Sequence, residues 1–166
     1  MMQTTRITAP AFPAVSADEL ETWLRIDCGS DPETLSLLVG SATEIVEGLT
    51  NRVLGSARYR IDFAGSALCY SLPISPVLSV ESVEVDGEPL TGWRYASGIV
   101  HFEALPASAP VVTVMAGSTD VASIPGALRH AIAVLVSASY NNREEVSDQT
   151  IRTVERLCAP HRRIVW

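Results

Sequence analysis

Three histidines, His101, His130 and His161, and the adjacent carboxylates Glu144 and Glu145 carry the side chains best suited to acid and base chemistry. The histidines fall respectively in a strand-like, a helix-like and a tail segment, with neither H-x-x-x-H nor H-E-x-x-H spacing to hold a metal. They read as surface or satisfied histidines. Glu144 and Glu145 close the stretch "SYNNREEV", and paired carboxylates at a helix end usually sit in solvent. Serines are common here, but no G-x-S-x-G elbow presents one as a nucleophile. A small hydrolase using His101 with a nearby acid is the one enzymatic alternative, and it requires a pocket. All basic residues are arginine, which excludes Schiff-base and P-loop lysine chemistry. The isolated glycines of "LTG" and "AGS" are turn residues, since no G-x-G-x-x-G follows a strand and opens a helix. Cys28, Cys69 and Cys158 form no C-x-x-C pair, so neither a zinc site nor a disulfide framework is signalled. The sequence thus nominates no catalytic, cofactor-binding or metal-ligating residue, and the expectation is a protein that is not an enzyme.

The elements that must position these residues follow from composition and period. A chain of 166 residues with 47% hydrophobic and 19% charged residues is long enough to bury a sizeable core. Its net charge of −7 argues against tight binding to nucleic acid, which needs a basic face. The N-terminal "MMQTTRITAPAFPAV" has no apolar h-region, reads as an extended arm, and gives no sign of export.

Ser16 and Glu19 form a capping box opening a short helix with Leu20, Trp23 and Leu24 on one face, ended by Gly29. Asp31 and Pro32 open a second helix, in which Leu35, Leu38, Val39, Ala42, Ile45, Val46 and Leu49 recur at spacings of three and four. From Tyr59 the period becomes two, and about six short strands follow, with Asp86-Gly87 as a hairpin turn. After Ile124-Pro125 the helical period returns through Leu128, Ala131, Ile132, Leu135, Val136 and Ser139. Ser147 or Asp148 caps a last helix carrying Ile151, Val154 and Leu157, which Pro160 terminates. "AIAVLVSA" is an apolar run far short of the ~20 residues that span a bilayer, so it reads as a core helix and no membrane partner is expected.

The predicted fold is α+β, mainly an α-helical bundle of about four helices with a central β-strand insertion. Its segments are an extended arm over 1–15, helical parts over 16–55 and 123–160, a β insertion over 56–122, and a tail over 161–166. That tail is unusual in ending on Arg162, Arg163, Ile164, Val165 and Trp166. Arg and Trp are enriched at binding hot spots, so the tail is either a plug for a pocket on another protein or a segment folded back on its own bundle.

The stretches "LETWLRID", "ATEIVEGLTNRVL", "LPISPVLSVESVEVDGEPL", "IPGALRHAIAVLVSASYNNREEV" and "VERLCAPHRR", in this order and spacing, resemble the head-to-tail connector (adaptor) proteins of tailed bacteriophages and phage-like gene transfer agents. The resemblance runs from Ser16 onward. It departs at Asn141, where an acidic residue is more usual, and at His161, where the family commonly has Tyr. It implies a structural protein of the virion or particle, forming a ring of about twelve copies between the portal protein and the tail, with a stopper or tail-completion protein downstream. A stopper or tail-completion role for this chain itself is the alternative. By the same resemblance Arg162, Arg163, Ile164, Val165 and Trp166 dock on the portal, and Tyr140, Asn142, Arg143 and Glu144 form a structural corner between the last two helices. DNA then passes through the lumen without specific binding, which an acidic chain suits, and no continuous arginine belt is expected there. No cofactor is implied.

Overall fold

A computed structural model describes residues 2–27, 29, 31–142 and 146–163. Among these, four α-helices share the chain with eight strands in two antiparallel sheets, so the prediction of a mainly helical bundle does not hold. The physical reason lies in strand length. Several strands are only two to four residues long. In such pieces a period of two is barely expressed, so the strand content is under-read beside the long helices.

The chain divides into two compact units. One comprises residues 12–55 and 118–163 and carries all four helices, α1 (Ala17–Leu24), α2 (Pro32–Thr50), α3 (Gly126–Asn141) and α4 (Asp148–Cys158). Helix α1 starts at the predicted capping box: Ser16 Oγ accepts from the Glu19 amide while Glu19 Oε2 accepts from the Ser16 amide at 3.0 Å. It ends at Leu24, several residues before Gly29, because Arg25 takes the left-handed cap conformation. Pro32 opens α2, although the Asp31 side chain accepts no capping hydrogen bond from its first turn. Ser147, not Asp148, caps α4 by accepting from the Thr150 amide. The apolar stripes converge on one core in which Leu20, Leu35, Val46, Leu128, Ile132 and Val136 are fully buried. Leu54 is held at the exit of α2 by its amide bond to Glu47 Oε1 at 2.7 Å, and Gly55 bridges Ser118 where the chain returns.

The other unit comprises residues 2–11 and 56–117. Its larger sheet has the order β1 (Gln3–Arg6), β2 (Ala57–Asp62), β8 (Val111–Ala116), β4 (Val77–Val85), β5 (Glu88–Pro89). The smaller has β3 (Cys69–Ser71), β7 (Ile99–Phe102), β6 (Trp93–Ala96). Alternation places Tyr59 and Ile61 of β2 and Val112 and Val114 of β8 on a buried face. The opposite face is polar, and there Arg58 pairs with Glu81 at 2.6 Å and Arg60 with Asp62 at 3.1 Å. Asp86 and Gly87, both at positive φ, make the predicted two-residue hairpin between β4 and β5. Ser97 and Gly98 make a second one between β6 and β7. Tyr70 links the sheets, its ring 4.6 Å from that of Phe63 and 5.7 Å from that of Phe102, and its hydroxyl donates to Gly65 O.

No helix among the described residues is long and apolar enough to cross a membrane.

Candidate functional site

The three histidines lie in three separate settings. His101 sits in β7 opposite Cys69 of β3 and Arg94 of β6. His130 is exposed on α3. His161 closes a 3-10 turn, where its carbonyl accepts from Arg52 Nε at 2.8 Å. Among the described residues no group of three or more His, Cys, Asp or Glu side chains could hold a metal. Glu144 and Glu145 lie outside the described residues.

The tail residues predicted to dock begin from a latched position. The Arg163 amide donates to Thr50 O at 2.8 Å, and Asn51 Nδ2 donates to Arg163 O at 3.0 Å. Together with the Arg52 bond to His161, these hold the chain against the C-terminal end of α2. Arg162 is exposed, and Ile164, Val165 and Trp166 lie outside the described residues. Of the predicted corner, Tyr140 is half-buried against the helical core, and Asn142 caps α3 by donating its amide to Ala138 O at 2.9 Å. Arg143 and Glu144 lie outside the described residues.

Two features of the helical unit were not read from sequence. The first is an apolar groove of about 250 Å³ bounded by α2, α3 and α4. Leu38, Leu49, Leu135 and Val154 line it, Ile45 and Ile151 stand at its lips 47% and 44% exposed, and Ser41, Ser139 and Glu155 are its polar groups. Ile45 and Ile151 obey the helical period, so pattern alone assigned them to the core; only the spacing between helices shows that they reach water. The second feature is Trp23. Assigned by period to the buried face of α1, it is 51% exposed, with its ring edge-on to His130 at 5.5 Å and 64°. The buried position beside it is taken instead by Glu21, whose carboxylate accepts from the Gly29 amide at 2.8 Å.

Electrostatics tie the start of α1 to α3. Arg129 donates to Glu19 through Nη2 and to Ala14 O through Nε at 3.2 Å. The backbone bond from Ser16 and the Arg129 guanidinium hold the Glu19 carboxyl below its ordinary pKa. Burial pushes the Cys158 thiol up, as fits an inert core cysteine.

The helical unit thus carries two apolar surface features, the groove and Trp23, and its histidines are not gathered into one site. Solved structures of gene transfer agent particles contain chains with the same fold. The chain matches a chain in the neck of an empty gene transfer agent particle computed with C6 symmetry, with a TM-score of 0.83 and 21% identity over 99% of this chain and 97% of that one. It matches one in the virion of a native gene transfer agent particle, with a TM-score of 0.80 and 22% identity over 98% and 96%. A third lies in the neck of a native particle computed with C12 symmetry, with a TM-score of 0.80 and 20% identity over 99% and 97%. No protein-family model and no curated protein matches the sequence.

Proposed function

We propose that this chain is a structural subunit of the neck of a phage-like particle, an adaptor that forms a ring between the portal at the head vertex and the tail. The observation that carries the reading is the fold likeness over nearly the whole of both chains to proteins in gene transfer agent necks, two of them in rotationally symmetric reconstructions. A ring of about twelve copies is the form proposed, consistent with a heterologous contact repeated about an axis. The downstream neighbour is a stopper or tail-completion protein.

In this reading the tail from Arg162 to Trp166 docks on the portal. The latch of Arg163 on Thr50 and Asn51 supports it by fixing the start of this segment at the C-terminal end of α2. DNA crosses the ring without specific contacts. The pairing of Arg58, Arg60 and Arg129 with carboxylates supports this, since each such pair reduces the positive field available to phosphates. Tyr140, Asn142, Arg143 and Glu144 set the angle between α3 and α4.

The test is electron microscopy of particles from producing cells lacking this gene. Filled heads and separate tails, rejoined when the protein is supplied, are expected. Normally joined particles would contradict the proposal, and heads that lose their DNA would favour a stopper role.

A further inference from the structure

We propose that Trp23 of one copy inserts into the α2–α3–α4 groove of the next, making the contact that closes the ring; this rests on the neck reading above. A ring of more than two copies needs a heterologous contact, with two different surfaces on each chain. The helical unit supplies both. Leu135 and Ser139, which line the groove, lie about 140° and 180° around the α3 axis from His130, which braces Trp23. Knob and groove therefore flank opposite sides of one helix, as head-to-tail addition requires, and Trp23 cannot fill its own groove while it packs edge-on against His130.

The chemistry of the groove matches an indole. Its volume of about 250 Å³ falls below the ~300–1,000 Å³ of small-molecule sites, and suits a protein side chain. Its walls are aliphatic, for the apolar body of the ring. Ser41, Ser139 and Glu155 offer oxygen acceptors for the single indole N–H, which can only donate. Tryptophan is also the side chain most enriched at energetic centres of interfaces. The exposed Ile45 and Ile151 would then form the water-excluding rim around it.

The test places the photo-crosslinking residue p-benzoylphenylalanine at position 23, and separately at 166, in particles purified from producing cells. Irradiation at position 23 is expected to join two copies of the chain, with the junction mapping to groove residues between 38 and 49, between 135 and 139, or between 146 and 155. Ile151→Arg, at an exposed lip, should prevent incorporation into particles while the free chain keeps its wild-type circular dichroism and melting temperature. Adducts from position 23 to another neck protein, to a different region of the second copy, or no adduct in particles that contain the chain would overturn the contact. Adducts in the groove from position 166 in place of 23 would overturn it too, by assigning the groove to the C-terminal tail. Particles that lack the chain altogether would contradict the neck reading and this contact with it.

Discussion

The helical unit and the strand unit of this chain spend their apolar residues differently. In the helical unit, long stripes on α2 and α3 bury leucines, isoleucine and valines completely, yet Trp23, Ile45 and Ile151 remain at the surface. In the strand unit the buried residues alternate strictly with polar ones along β2, and the outer face of the larger sheet is closed by ion pairs of Arg58 and Arg60. That face is polar, yet the strand unit also exposes Ile7, Leu68, Leu78 and Leu105. What sets the helical unit apart is that it carries both an aliphatic groove with exposed lips and an exposed aromatic ring.

The comparison breaks most readily in the core. Ile132→Ala removes a fully buried side chain of α3 and should cost about 2–5 kcal/mol. Thr5→Ala, on β1, where every side chain is exposed, should stay within about 0.5 kcal/mol. Urea unfolding of both variants checks the contrast, and equal losses would mean that β1 is held by more than its backbone ladder. A smaller effect sharpens it at the helix start: Ser16→Ala removes one half of the capping box and should cost about 1 kcal/mol. A loss indistinguishable from zero would mean that Arg129 alone holds the start of α1.

The smallest effect is electrostatic. Because the Glu19 pKa is depressed in the folded chain, its contribution is fully present above the unfolded carboxylate pKa and is lost as pH falls through the lower folded value. Glu19→Gln should therefore flatten the acid limb of the stability profile slightly and leave its neutral and alkaline parts parallel to wild type. Steepening of the acid limb would reverse the sign assigned to Arg129 and Ser16.

Much of the helical unit is written in local signals. The Ser16–Glu19 box, Pro32 and the Ser147 cap each rest on chemistry within three residues, and the apolar stripes of α2 and α3 are long enough to establish a period. The strand unit is less legible. The N-terminal arm becomes edge strand β1 through backbone bonds to β2, with no buried side chain to mark it. The Ser97-Gly98 hairpin has the dipeptide of a turn but lies inside a stretch that reads as one continuous strand. Such short, backbone-held pieces explain how a mixed fold came to be read as mainly helical. The groove is less legible still, since three helices must be placed in space before Leu38, Leu135 and Val154 share one wall. Trp23 shows the limit of periodicity: its spacing from Leu20 predicts burial, yet it stands half exposed with its ring against His130.

The most direct test of the neck assignment is a cryo-electron microscopy reconstruction of the head-tail junction in particles from producing cells. The account predicts a ring of this chain between the portal and the tail, with helical units of neighbouring copies in contact around the circumference. Density for the chain elsewhere in the particle, or a ring without contact between helical units, would contradict it.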